Sequence, residues 1–190
     1  MEKIKNTLVC RTWKTKTVAA VLAVIAAVAL PQVFHLLGII TKTNSALGEI
    51  FLPMHIAIFL VGYFAGPWAG LAAGFLSPVL SFALTSAAGS AMPALVMLPY
   101  MVIELSVYGL VTGLFTRYCS VKIPALLSLL AAQVAGRAVR ALAIVIGVYG
   151  FGSPIAVAVI WKSIVAGLPG LILQWVLIPL ILFWVQKKAQ

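Results

Sequence analysis

Of 190 residues, 64% are hydrophobic and 8% charged, and the mean hydropathy is +1.18. A soluble domain carries about 25% charged and about 45–50% apolar residues, so a water-facing surface is excluded. The net charge of +10 does not point to nucleic acid, because five basic residues (Lys3, Lys5, Arg11, Lys14, Lys16) precede the first apolar run and Lys187 and Lys188 follow the last. Basic residues gathered at a membrane edge set orientation and favour anionic lipid head groups.

The first span runs from about Thr17 to Leu37. A basic start before an apolar run is also the outline of a signal peptide, but this run exceeds the roughly 7–15 residues of a signal core. Thr41 to Glu49 is polar and reads as a loop. A short second span, about Ile50 to Ala65, stops at Gly66-Pro67, where proline forbids the helix from continuing. The third, about Trp68 to Thr85, carries glycines and Pro78 that suit close packing and a kink. Ser86 to Met92 reads as a second exposed loop, followed by a fourth span over about Ala94 to Phe115. The fifth covers about Pro124 to Val148 and breaks at Gly150-Phe151-Gly152-Ser153-Pro154; the sixth covers about Val157 to Val185, with Pro169 and Pro179 inside it.

At about 20 residues per crossing, six spans account for nearly the whole chain. The fold class is therefore all-α, an integral membrane bundle of six transmembrane helices forming one membrane domain over residues 1–190. Placing both termini in the cytoplasm puts nine loop or terminal basic residues inside (the seven above with Arg117 and Lys122) and only Lys42 outside. Cys10 and Cys119 then lie near cytoplasmic ends, where neither a disulfide nor a metal site is expected.

No catalytic signature is present: phosphate-binding loop, nucleophile elbow and His-Glu-x-x-His are all missing. No catalytic residue, metal or cofactor is expected. His35 and His55 lack carboxylate or thiol neighbours in sequence and read as packed histidines. Ionisable residues at membrane depth are the stronger signal, because burying charge in hydrocarbon is costly. Arg137 and Arg140 lie three residues apart on one face of the fifth span, Glu104 near the middle of the fourth, and Lys162 in the outer part of the sixth. Glu104 and Arg137 fall at comparable depth, so they form either a structural ion pair or part of a ligand site. Arg140 and Lys162 are then left without an anion in the chain, and an anionic ligand group is the natural complement. Ala19, Ala23 and Ala27 make a small-residue stripe on the first span that suits close helix approach, within the chain or to a partner subunit.

Leu52-Pro53-Met54-His55-Ile56, Gly62, Gly66-Pro67, Gly70, Gly74 and Pro78 resemble the substrate-binding S components of energy-coupling factor (ECF) vitamin transporters. Met92-Pro93, Glu104, Tyr108-Gly109, Gly113, Gly136-Arg137 and Gly167-Leu168-Pro169-Gly170 extend the likeness to about Gln174. Ala57, where many members have proline, and a longer loop over Ser86 to Ala91 depart from the pattern. The resemblance implies a six-helix subunit of the bacterial cell membrane that binds one small vitamin-like molecule from outside. It also implies a transmembrane coupling subunit, met through Ala19, Ala23 and Ala27, and two ATP-binding cassette ATPases that hydrolyse ATP on the chain's behalf. The substrate would lie in the outer half of the later helices, and we assign Arg137, Arg140, Lys162, Glu104 and Met92 to it. The partners are thus ligand, coupling module and lipid bilayer, with no nucleic acid. The alternative is a stand-alone proton-coupled secondary carrier using Glu104.

Overall fold

The computed structural model describes residues 13–40, 50–87, 89, 91–118 and 125–188. The basic residues before Trp13, the polar stretch 41–49 with Lys42, and Cys10, Cys119 and Lys122 lie outside them, as do the side chains of Ala19 and His35. The described chain is all-helical: α1 (Trp13–Ile40), α2 (Pro53–Ala65), α3 (Pro67–Ala87), α4 (Leu98–Tyr118), α5 (Ala125–Phe151), α6 (Val159–Ala166) and α7 (Leu168–Lys188). Stretches in α3, α4, α5 and α7 are long and apolar enough to cross a membrane, and α1 and α2 contain shorter apolar helices. The expected sixth span is two helices. Proline at position 169 removes an N–H and would collide with the preceding turn of a continuous helix, so the chain breaks at Gly167 and Pro169 falls in the first turn of α7, where it is tolerated.

Burial is inverted relative to a water-soluble protein. Phe151, Trp161 and Val134 are among the many large apolar side chains left exposed, whereas Ser77, Thr112, Glu104 and Gln174 are almost wholly buried. Lipid is as apolar as leucine, so bulky side chains gain nothing from leaving it, while polar ones must find partners inside. Helix contact is therefore set by small residues. At the α3–α4 crossing Gly70 and Gly109 meet backbone to backbone, and a Cβ on either would overlap the other's carbonyl. One turn along, Gly74 lies against the Leu105 carbonyl, and at the opposite end Gly113 abuts Gly66-Pro67. The tight turn expected at Gly66-Pro67 is present, with Gly66 at φ 93°. Helix α1 packs across α2 and α3, and its Ala27, with 0% exposure, enters the core beside Ile58 and Phe59.

Candidate functional site

The site is built where α2, α4, α5 and the α6–α7 break come together. Leu52 has left-handed backbone (φ 49°, ψ 49°), which costs a non-glycine residue about 1–2 kcal/mol. It turns the chain into Pro53, the first residue of α2, and buries Met54 and His55 in the next positions. On α4, Glu104 and Tyr108 stand one turn apart, and the Tyr108 hydroxyl donates to Glu104 Oε1 at 2.6 Å. Tyr108 packs between His55 and Phe59, at ring-centroid distances of 5.3 and 5.0 Å. It reaches that position because α5 carries Gly136 opposite; a Cβ there would collide with the tyrosine ring.

The ion pair belongs to Arg140, whose Nη1 donates to Glu104 Oε2 at 2.8 Å. The expected Glu104–Arg137 pair is therefore corrected by one helical turn. Depth alone does not separate two arginines on one face; the one nearer the C-terminal end of α5 is the one whose guanidinium meets the carboxylate. Glu104 is 1% exposed and accepts from both a phenol and a guanidinium. Arg137 makes no ion pair among the described residues, and its guanidinium lies against Gly167, where an added Cβ would stand 3.3 Å from Nη2. Nε of Arg137 and Nε of Arg140 are both buried without a hydrogen-bond partner.

Both arginines border a narrow, partly open cleft between α5 and α6. Ala141 and Ile144 continue the α5 wall, and Ile160, Ser163 and Ile164 form the α6 wall. The spacing 160, 163, 164 marks one face of α6, which turns Trp161 and Lys162 outward. The structure thus joins Arg137, Arg140 and Glu104 and leaves Lys162 exposed on the far side of α6. Met92 is half-buried; its N–H donates to Thr85 Oγ1 at 2.8 Å, and its carbonyl accepts from Ser81 Oγ at 3.1 Å, which pins the loop to α3. Its side chain is not part of the cleft.

Sequence reasoning missed Tyr108, the aliphatic walls and Ser163. The four-residue spacings Glu104–Tyr108 and Arg137–Ala141 were visible signals, but the α6 face was not, because an eight-residue helix has too few turns to declare one. A second polar cluster joins α5 to α7: Trp175 Nε1 donates to Gln133 Oε1 at 2.7 Å, and Gln133 Nε2 donates to Gln174 Oε1 at 2.9 Å. Ala23 and Ala27 both pack toward the core formed with α2 and α3. His55 is buried with Nδ1 unpartnered, and no group of three metal-binding side chains occurs among the described residues.

Comparison with curated proteins and with solved structures gives no match. The sequence model of one family, described as ECF transporter, substrate-specific component, matches residues 14–182. A match over most of the length of a multi-pass helical chain shows the family: this chain belongs to the substrate-specific components of ECF transporters, non-catalytic membrane subunits that bind the substrate for import and work with an energy-coupling module.

Proposed function

We propose that the chain captures a small anionic vitamin or vitamin precursor from outside a bacterial cell and holds it in the α5–α6 cleft. It then reorients in the membrane to release the ligand inside. The observation that carries this reading is the charge imbalance at the cleft: two guanidinium groups face one carboxylate, and both unpartnered Nε atoms are buried there. Leaving N–H donors of a cation unmet in low dielectric is expensive, and a ligand anion meets them.

The pairing of Arg140 with Glu104 makes Arg137 the residue free to act on the ligand. Arg137→Ala is expected to weaken binding by about 1.5–3 kcal/mol, the scale of a charge-assisted hydrogen bond, with little change in melting temperature. Ligand that copurifies with the chain, identified by mass spectrometry and then titrated onto both proteins in detergent, gives the measurement. Equal affinity in the variant would remove Arg137 from the site.

The energy-coupling module is proposed to consist of a transmembrane coupling subunit and two ATP-binding cassette ATPases. Ala27 offers no surface, so the contact with the coupling subunit is assigned to the Ala19–Ala23 end of α1, where Ala23 is half-buried. Both termini are placed in the cytoplasm by the nine-to-one distribution of basic residues. Uptake that needs coexpressed ATPases supports the scheme, and uptake driven by a proton gradient alone would favour a Glu104-based carrier instead.

A further inference from the structure

Building on the reading that the α5–α6 cleft is the binding site, we propose that it selects a small, non-aromatic monocarboxylate. The carboxylate lies against Arg137 and Arg140, and the aliphatic body runs along Ile144, Ile160 and Ile164. Four observations fix the class.

Charge comes first. Arg137 and Arg140 carry two positive charges and Glu104 one negative, so the cluster is complete with one further negative charge. A dianion such as a phosphomonoester would leave an uncompensated charge in low dielectric, and a cation would face two guanidiniums. Shape comes second. Nε and Nη2 of a guanidinium form a parallel pair of donors that matches the two oxygens of a carboxylate. Arg140 spends only Nη1 on Glu104, and Arg137 spends none of its donors on an ion pair, so both retain that edge.

The walls give the third. Apart from the arginines and Ser163, the lining is alanine and isoleucine, with no aromatic face on which a ring would stack. The fourth is Ser163. Its hydroxyl proton is committed to the Ile160 carbonyl at 2.9 Å, so its oxygen offers the cleft an acceptor and calls for an N–H or O–H on the ligand body. The wall order also orients the molecule. Running along α5 from Arg137 to Ile144, and back along α6 from Ile160 to Ser163, the charged end is the deep one and the apolar end the outer one.

The test uses the full chain in detergent, with binding measured by titration calorimetry and melting temperature recorded for every variant. The probes are pantothenate and biotin (non-aromatic monocarboxylates), panthenol (the neutral alcohol of the first), nicotinate (an aromatic monocarboxylate), thiamine (a cation) and citrate (a polyanion). The proposal expects a non-aromatic monocarboxylate to bind best, with its neutral or polyanionic counterparts weaker by roughly 10- to 100-fold, the effect of losing a charge-assisted contact. Preference for any other class, or no binding of either monocarboxylate, overturns it. Ala141→Phe, which fills the cleft, tests the site separately. If it abolishes binding of an aromatic or cationic probe, the cleft stands as the site and the class assignment fails. If a monocarboxylate binds equally well to wild type and Ala141→Phe, at unchanged melting temperature, the class stands and the cleft reading fails.

Discussion

Helices α2, α3 and α4 meet through backbone, whereas α5, α6 and α7 meet through side chains. At Gly62, Gly70, Gly74, Gly109 and Gly113 there is no room for a single added carbon, so the first group is fixed in register by contacts that have no alternative rotamer. Helix α7 touches its neighbours sparsely, and its connection to α5 runs through a glutamine pair and a tryptophan N–H. Side-chain hydrogen bonds of this kind are individually modest and can be remade, while interpenetrating backbones cannot be. The cleft lies on the second group, and the carboxylate that anchors one of its arginines lies on the first. The molecule thus divides into a frame and a wall that borders the ligand, joined by Glu104–Arg140.

The largest expected effect breaks the frame. Gly109→Val places a side chain where the Gly70 carbonyl already stands, and the helices must separate. Overpacking ordinarily costs about 1–3 kcal/mol, but here the obstacle is backbone, so the expected outcome is loss of monodisperse, folded protein on size exclusion. If Gly109→Val purified with wild-type stability, the frame would be softer than the glycine contacts imply.

Next is the joint. Arg140→Ala leaves the carboxylate of Glu104 buried with only the Tyr108 hydroxyl, and breaking a buried pair from one side costs about 3–5 kcal/mol. The melting temperature should fall steeply, and Glu104→Gln in the same chain should restore much of it by removing the stranded charge. No rescue by Glu104→Gln would mean that Arg140 stabilises the fold through its packing, not its charge.

The α5–α7 latch should give a smaller effect. Gln133→Leu conserves bulk but takes the acceptor from Trp175 Nε1 and the donor from Gln174 Oε1, which leaves buried polar atoms unmet at about 1–3 kcal/mol. The loss should appear in thermal stability, with the α2–α4 amides retaining their hydrogen-exchange protection. Uniform loss of protection would show that the two regions unfold as one unit.

How far the sequence announced this arrangement differs between the two regions. The frame was legible: Gly66-Pro67 demanded a turn, and the glycines of the third span suited close helix packing, because each feature acts through the backbone of its own segment. The wall was less so. Which of Arg137 and Arg140 reaches Glu104 depends on the rotation of α5 against α4, and that rotation is set partly by Gly136 receiving the Tyr108 ring. No local pattern in α5 states it. The break at Gly167 was similarly hidden inside one apolar run, although Pro169 was the cue. The alanine stripe illustrates the converse, since its spacing said that something packs closely there, and for Ala27 that neighbour is the chain's own core.

The smallest effect is expected at Lys162, and it shows where the wall ends. Lys162 sits on α6 between Trp161, which is 70% exposed, and Ser163, which lines the cleft. One residue of helix turns a side chain by about 100°, enough to move it from the lining to the outer face. A long lysine near a helix end extends its ammonium toward the membrane surface while its methylenes stay in the apolar layer. Replacing it by alanine removes a solvated charge and a flexible stem, and such surface changes stay within about 0.5 kcal/mol. Lys162→Ala is therefore expected to leave both melting temperature and ligand affinity within measurement error of wild type, alongside a clear affinity loss in Arg137→Ala. A tenfold loss in Lys162→Ala would show that α6 rotates when ligand binds and brings its outer face into the site. The cleft between α5 and α6 would then be only one of two forms that this wall adopts.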